Sequence, residues 1–129
     1  MKKLIIIIGL FLLTACATVK MSPKQAIDKM SEEENYIIVD VRTKEEYDEK
    51  HIKDAINIPL ASIGDKMPDE LPDLDENIYV YCRSGNRSHQ AARRLNKLGY
   101  TNVIDIGGIN SWPGATEWVL KQLKIIPVH

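Results

Sequence analysis

Residues 78–89 read Ile-Tyr-Val-Tyr-Cys-Arg-Ser-Gly-Asn-Arg-Ser-His, an apolar run that ends in a cysteine and a short polar loop. β-Branched and aromatic residues are frequent in strands, so Ile78–Tyr81 is predicted to be a strand with Cys82 at its carboxyl end. Apolar residues then recur at helical spacing, which predicts an amphipathic helix over Ser88–Leu98 that ends at Gly99. A strand that passes through so short a loop directly into a helix is typical of an α/β fold.

Further strands and helices are predicted to alternate on both sides of this segment. The predicted strands are Tyr36–Val41, Ala55–Ile58 and Val103–Ile106, and Ala17–Met21 is predicted to be a short tether or an edge strand. The predicted helices are Ser22–Met30, Lys44–Glu49 and a closing helix over Glu117–Leu123, and Leu60–Asp75 is predicted to be an irregular connection with a short helix. This alternation predicts a parallel sheet covered by helices on both faces. Binding sites in such folds lie at the carboxyl ends of strands, where Cys82 is expected.

Length and charge exclude several classes of protein. The chain has 129 residues, with 17 lysines and arginines against 18 aspartates and glutamates, for a formal net charge of −1. A near-neutral chain lacks the long-range field that attracts polyanions, so a nucleic-acid partner is not expected. Hydrophobic residues make up 44% and charged residues 27%, which is ordinary for a globular domain and excludes full disorder. The length leaves room for one modest domain, and a monomer is expected.

The first residues have the form of an export signal. Lys2 and Lys3 precede the apolar stretch Leu4–Leu13, which is shorter than the ~20 apolar residues that a transmembrane helix needs. The stretch ends in Leu13-Thr14-Ala15-Cys16, which resembles the lipobox of bacterial lipoproteins. An uncleaved membrane anchor and an ordinary signal peptide are the alternatives.

The lipobox resemblance implies a lipoprotein signal peptide over residues 1–15 and lipid on Cys16. Residues 16–21 would then form a short tether, and residues 22–125 would form the domain. The protein would be exported and anchored by its lipid to a membrane of a bacterial cell envelope, facing the periplasm or the outside. Its partners would therefore include a membrane surface.

Cys82 is predicted to be a reactive thiol. The chain holds two cysteines, Cys16 and Cys82, and two cysteines in an exported protein normally indicate a disulfide. Lipid on Cys16 would block that pairing and leave Cys82 alone. Reactivity explains a retained lone cysteine better than packing does.

The loop after Cys82 has the composition of an anion-binding nest. Ser84-Gly85-Asn86 is small and flexible, so successive backbone N–H groups can turn towards one point at a helix N-terminus. The anion could be the Cys82 thiolate or a substrate oxyanion. In either case the pKa of a partly exposed Cys82 is expected below the ordinary ~8.5. Arg83 and Arg87 add positive charge and can donate to sulfonate or phosphate oxygens.

Several short motifs occur in one order along the chain. They are Ser22-Pro23 with the helix to Met30, Asp40-Val41-Arg42, Glu46-Tyr47, His51-Ile52, Ala55-Ile56-Asn57-Ile58-Pro59, the loop Cys82–Ser88, and Gly107-Gly108 followed by Trp112. Together they resemble the single-domain rhodaneses, the thiosulfate sulfurtransferase family, over about Ser22–Leu123. Asp54 departs from the family pattern, which often has glycine there. The resemblance implies a three-layer α/β/α fold with a central parallel sheet of about five strands.

The resemblance also implies a reaction. The Cys82 thiolate would take sulfane sulfur from thiosulfate or a similar small donor as a persulfide and pass it to a thiol or cyanide acceptor. The expected substrate-binding residues are Arg83, Ser84, Gly85, Asn86, Arg87 and Ser88. Asp40 and Arg42 are expected to form a supporting ion pair that positions the loops. No metal or organic cofactor is expected.

Two alternatives remain open for this family of folds. Rhodanese-like domains also serve as non-catalytic binding or sensor modules, although such members commonly lack the cysteine. Related phosphatases and arsenate reductases place five residues between the cysteine and the arginine of the loop. Here only four residues separate Cys82 from Arg87, which favours a sulfur substrate.

Overall fold

The structure is a computed structural model, and it describes residues 18–118 of the chain. Within that range no helix combines the length and the apolar character needed to cross a bilayer. The predicted signal peptide, Cys16 and the predicted closing helix beyond Trp118 lie outside the described residues.

Strands and helices alternate along the described part of the chain. The strands are β1 (Val19–Lys20), β2 (Ile37–Asp40), β3 (His51–Ile52), β4 (Ile56–Asn57), β5 (Asn77–Cys82), β6 (Asn102–Gly108) and β7 (Thr116–Glu117). The α-helices are α1 (Pro23–Glu32), α2 (Lys44–Glu49) and α3 (Asn86–Leu98), and short 3-10 helices span Leu60–Ser62 and Ile109–Ser111.

Local sequence signals set the starts of the first two helices. The Ser22 hydroxyl accepts from the Gln25 backbone N–H, and the Gln25 side chain accepts from the Ser22 N–H, which makes a complete capping box. Pro23 follows at the first helical position, where a missing N–H costs nothing. Thr43 caps α2 by accepting from the Glu46 N–H.

Five strands form a parallel sheet in the order β1-β6-β5-β2-β4. Helices flank this sheet, so the predicted α/β architecture with a central parallel sheet of about five strands is confirmed. The central strand β5 is buried on both faces and pairs with β2 and β6. Cys82 therefore lies at the carboxyl end of a strand that is buried and hydrogen-bonded to a neighbour on each side.

The alternation of β5 side chains divides the core into two layers. Ile78, Val80 and Cys82 pack with the buried face of α3, which includes Ala91 and Leu95. Tyr79 and Tyr81 point to the opposite layer, where Ala26 and Met30 of α1 pack against the sheet. Trp112 joins this second layer as a partly buried packing residue. The period of two along β5 thus places Cys82 on the α3 side of the sheet.

The structure corrects two predicted elements and decides between two alternatives for a third. Helix α3 begins at Asn86, two residues before the predicted start, because only three residues connect it to β5. Of the tether and the edge strand predicted for Ala17–Met21, the structure shows the edge strand, β1 at Val19–Lys20. Glu117 pairs with His51 in the antiparallel ribbon β3–β7, which sequence analysis missed, and is not the first residue of a helix.

A buried polar network ties three strands together at the carboxyl edge of the sheet. Asp40, which is fully buried, accepts hydrogen bonds from the Arg42 guanidinium at 2.7–3.1 Å and from the Tyr81 hydroxyl at 2.7 Å. The Tyr81 oxygen in turn accepts from the Ile52 N–H, and Arg42 also donates to the Lys50 carbonyl. The predicted ion pair between Asp40 and Arg42 is present. It fixes Tyr81, the residue directly before Cys82.

Replacement of Asp40 by asparagine should destabilise the domain strongly. The Asp40→Asn change leaves the Arg42 guanidinium buried without a counter-charge, and breaking a buried pair in this way costs about 3 kcal/mol or more. Urea unfolding followed by circular dichroism would measure the loss. Asp48→Asn is the matched control, because Asp48 pairs with Lys44 on the surface and its loss should change the free energy of unfolding by less than about 1 kcal/mol. Equal effects of the two variants would contradict a role for the buried network.

Candidate active site

The loop that follows β5 encloses the sulfur of Cys82. The strand ends at Cys82 and α3 begins at Asn86, so three residues make the connection. Gly85 reaches the required left-handed conformation, with φ of 107°, which other residues adopt at a cost. In this conformation its backbone N–H donates to Cys82 Sγ at 3.0 Å. No side chain caps α3, and the sulfur lies where a capping oxygen would otherwise sit.

Hydrogen bonds favour the thiolate form of Cys82 although its side chain is buried. Burial by itself would raise the pKa of the Cys82 thiol, because a charge is costly away from water. Hydrogen bonds from the Ser88 hydroxyl and from the backbone N–H groups of Ser88, Gly85 and Ser84 outweigh this effect, so the pKa lies below its ordinary value. The depressed pKa agrees with the nest predicted from the sequence.

Burial of the sulfur is greater than the sequence predicted. Cys82 is only 1% exposed, whereas Arg83, Ser84 and Asn86 of the loop are exposed. The expectation that the Cys82 thiol is partly exposed is therefore wrong. The residues that a ligand meets first are those of the loop rim.

Ser88 connects the sulfur to the neighbouring strand. Its hydroxyl lies 3.6 Å from Cys82 Sγ, 3.0 Å from the Gly85 carbonyl and 3.4 Å from the Gly107 carbonyl. Ser88 is fully buried, and its hydroxyl has one proton to donate to one of these three acceptors at a time. The hydroxyl can accept from the neutral thiol while it donates to a carbonyl, and it can turn its proton to sulfur once Cys82 ionises. It is thus placed to follow the charge on the sulfur.

Gly107 and Gly108 at the end of β6 form the floor beneath the loop. A Cβ atom on Gly108 would lie 2.1 Å from the Arg83 carbonyl oxygen, so only glycine allows the two backbones to approach this closely. Gly107 has a φ of 82°, and its N–H is held by the buried carboxylate of Asp105 at 2.9 Å. These contacts fix the position of the Arg83 backbone relative to β6.

The two arginines of the loop have different surroundings. Arg87 forms a two-point ion pair with Glu46 of α2, at 2.7 and 3.0 Å, and these hydrogen bonds from Arg87 lower the pKa of Glu46 to about 2. Arg83 is exposed and makes no hydrogen bond or ion pair with any residue between 18 and 118. Arg83 therefore has its guanidinium free to meet an anion at the rim.

The structure brings the predicted loop residues together and keeps the supporting pair apart from them. Of residues 83–88, Ser84, Gly85 and Ser88 donate hydrogen bonds to Cys82 Sγ, whereas Asp40 and Arg42 act on Cys82 through Tyr81 in the preceding position. Sequence reasoning missed the parts played by Glu46, Asp105 and Gly108. A Thr43-x-x-Glu46 capping signal and a double glycine were visible, but neither pattern shows which loop it contacts.

No group of three or more His, Cys, Asp or Glu side chains in the described part of the chain is arranged to hold a metal ion. The chemistry available at the site is that of the thiolate. A thiolate stabilised by backbone N–H groups, beside an exposed guanidinium that has no ion-pair partner among residues 18–118, can attack an electrophilic atom that carries an anionic leaving group.

Fold and site together define an α/β domain with a nucleophilic cysteine at the carboxyl end of its central parallel strand. The model of the Rhodanese-like domain family matches residues 22–115. The chain belongs to the rhodanese-like family. The resemblance found in its sequence motifs is thereby confirmed.

Individual relatives agree with this assignment. The thiosulfate sulfurtransferase PspE of Escherichia coli (strain K12) is 39% identical over 71 residues, which cover 55% of this chain and 68% of that protein. A sulfurtransferase of Allochromatium vinosum is 38% identical over 85 residues, covering 65% of this chain and 78% of the other. A solved rhodanese with anions from E. coli superposes with a TM-score of 0.60 at 34% identity, over 64% of this chain and 98% of that one.

Other relatives are longer proteins, of which this chain spans 48%, 23% and 22%. The family shared by all of them includes proteins named as sulfurtransferases. Sulfur transfer is therefore the activity represented among the relatives of this domain.

Loss of the Ser88 hydroxyl should raise the pKa of Cys82. Ser88→Ala removes a donor to the thiolate but keeps the backbone N–H groups, so the rate of alkylation by iodoacetamide should reach half its maximum at a higher pH than in the wild type. The wild-type midpoint is expected below the ~8.5 of a free cysteine. Ser84→Ala is the matched control, because Ser84 acts through its backbone N–H and should leave the midpoint unchanged. Identical pH profiles for Ser88→Ala and the wild type would contradict this assignment.

Proposed function

We propose that this protein is a sulfurtransferase that moves sulfane sulfur from thiosulfate, or a donor of the same chemistry, to a thiophilic acceptor. The observation that carries the proposal is the Gly85 N–H that donates to Cys82 Sγ, because it stabilises a sulfur anion in the ground state. The named activity of the relatives supports the same conclusion.

The proposed reaction has two steps on one sulfur atom. The Cys82 thiolate attacks the outer sulfur of thiosulfate, a sulfur–sulfur bond forms, and the bond to the sulfonate sulfur breaks with both electrons leaving on sulfite. The Cys82 persulfide then transfers its terminal sulfur to cyanide or a thiolate, and the electron pair of the broken bond returns to Cys82. The two steps balance without a metal or an organic cofactor.

The length of the loop supports a sulfur substrate over a phosphate. Four residues separate Cys82 from Arg87, and the loop is held down by the contact between Gly108 and the Arg83 carbonyl. Arg87 is paired with Glu46, so it is not oriented to enclose a phosphate. A phosphatase reaction is therefore disfavoured.

Arg83 is proposed to bind the sulfonate of the donor. It stands at the rim without an acidic partner in the described chain, next to the buried sulfur. Arg87 is proposed to contribute positive charge near Cys82 while it stays paired with Glu46. The hydrogen bonds with Glu46 raise the pKa of the Arg87 guanidinium. Both arginines thus serve the anionic donor, but only Arg83 is free to follow the leaving sulfite.

Export and a lipid anchor complete the proposed function. The support is the run of Leu13-Thr14-Ala15-Cys16 after a basic and then an apolar segment. Lipid on Cys16 would hold the domain at a bacterial cell-envelope membrane, on the periplasmic or extracellular side. Sulfur donors and acceptors would then be met outside the cytoplasm.

Incubation of the reduced protein with thiosulfate should add one sulfur atom to Cys82. Intact-mass spectrometry should show a gain of about 32 Da that disappears on addition of cyanide, as a covalent intermediate requires. Cys82→Ser is the control and should gain nothing. A folded and reduced wild-type protein without the adduct would remove thiosulfate as the donor and favour a binding or sensor module.

Loss of Arg83 should weaken donor binding more than loss of Arg87. Arg83→Ala removes a charged hydrogen bond to the sulfonate, so the KM for thiosulfate in a thiocyanate assay should rise about tenfold. Arg87→Ala should change KM less, because that guanidinium is committed to Glu46. Lys24→Ala on α1 is the control for a surface charge and should leave KM unchanged. A larger rise in KM for Arg87→Ala would show that Arg87 leaves Glu46 to hold the donor.

A further inference from the structure

Helix α3 presents an exposed face of one charge. Arg93, Arg94 and Lys97 are exposed, and the helix contains no aspartate or glutamate. Together with Gln90 they line one shallow groove on the outer side of the helix. We call Gln90, Arg93, Arg94 and Lys97 the basic face. It is a cationic surface on a chain whose net charge is slightly negative.

The charges of the basic face have no acidic partner between residues 18 and 118. Arg94 donates to the backbone carbonyls of Leu60 and Ile63, which leaves its charge uncompensated. Asp65 lies beside Arg94 and Lys97 on a neighbouring groove, but it forms no ion pair with either within 4.0 Å. Residues 1–17 and 119–129 contain no aspartate or glutamate that could supply one. The basic face is therefore a cationic surface that attracts anionic partners.

The start of the described chain contacts the first turn of α3, beside the basic face. The Thr18 hydroxyl is 3.4 Å from Nδ1 of His89, which is in the first turn of α3. Arg93 and Lys97 follow His89 at intervals of four residues and therefore lie in one row along the helix.

The reach of the chain before Thr18 is short. Cys16 precedes Thr18 by two residues, which span at most about 7 Å when fully extended. Acyl chains on Cys16 would therefore enter a bilayer close to the first turn of α3, from which the row of His89, Arg93 and Lys97 continues. Val19, the first residue of the edge strand β1, is apolar and 53% exposed.

We propose that the basic face of α3 docks on the anionic phospholipid headgroups of the membrane that holds Cys16. This inference rests on the lipid anchor in the proposed function. The charges of Arg93, Arg94 and Lys97 meet lipid phosphates, and the anchor limits the domain to that side. Because the Cys82 loop leads directly into α3, docking holds the reactive sulfur beside the membrane surface, where a membrane-bound sulfur donor or acceptor would be met.

The orientation can be measured on the full chain, purified from bacterial membranes and placed in lipid vesicles. In a Cys82→Ser background, a fluorophore is attached at Gln90→Cys on the basic face, or at Glu32→Cys on α1 in the opposite layer. The vesicles contain phosphatidylcholine with or without phosphatidylglycerol, and a nitroxide-headgroup lipid quenches probes near the surface. We expect strong quenching of the probe at position 90 with the anionic lipid and little quenching of the probe at position 32.

Charge reversal tests whether the basic residues cause the orientation. The double variant Arg93→Glu with Lys97→Glu should reduce quenching at position 90 to that at position 32, since each basic residue near an anionic surface favours docking by a factor of about five. The double variant Lys24→Glu with Lys53→Glu makes the same change of charge on the α1 side and should leave quenching unchanged. Circular dichroism of both variants checks that the fold is kept.

The outcomes distinguish failure of membrane docking from failure of the lipid anchor or of sulfur transfer. Equal quenching at both positions, or quenching at position 90 that does not need phosphatidylglycerol, would overturn docking through headgroup charge. Quenching at neither position in an acylated protein would overturn it too and leave the basic face free for an acidic protein. An intact mass without acyl chains on Cys16 would remove the anchor and this inference with it, whereas the persulfide mass reports separately on sulfur transfer.

Discussion

The rest of the site depends on the hydrogen bond from the Gly85 N–H to Cys82 Sγ. A thiolate is costly at 1% exposure, so the sulfur can carry charge there only because backbone N–H groups and Ser88 meet it. To bring its N–H to the sulfur, Gly85 takes a positive φ, and α3 begins at the next residue. The tight turn, the start of the helix and the depressed pKa of Cys82 are thus consequences of one contact.

That contact survives because the two sides of the loop are fixed independently. On one side, the buried network of Asp40, Arg42 and Tyr81 holds the end of β5 and so the backbone of Cys82. On the other side, Gly108 lets the Arg83 carbonyl lie directly on β6. The fixed end of β5 and the close backbone contact with β6 together restrict the loop to one conformation. Stabilisation of an anion requires such preorganised donors.

The sequence was most informative where the chemistry is local. The β-branched and aromatic run of β5, the helix predicted to start at Ser22 and the small residues after Cys82 all depend on near neighbours in the chain, and these predictions agree with the structure. Contacts between distant segments were not visible in the same way. Glu46 lies 41 residues from Arg87, and nothing in either local pattern indicates that they pair. The ribbon of β3 and β7 was missed for the same reason, because two-residue strands carry no periodicity.

Burial of Cys82 also bears on how such a thiol would persist outside the cytoplasm. Under the proposed export, the sulfur is in a compartment that oxidises thiols, and a depressed pKa favours the reactive thiolate. Exposure and ionisation normally rise together at reactive cysteines, but here the loop separates them: the sulfur is ionised readily yet is 1% exposed. An anionic donor is attracted by the exposed Arg83, which has no ion-pair partner in the described part of the chain, whereas a neutral oxidant gains no such contact. Selectivity for the donor and protection of the nucleophile then follow from the same arrangement of a buried sulfur beneath a cationic rim.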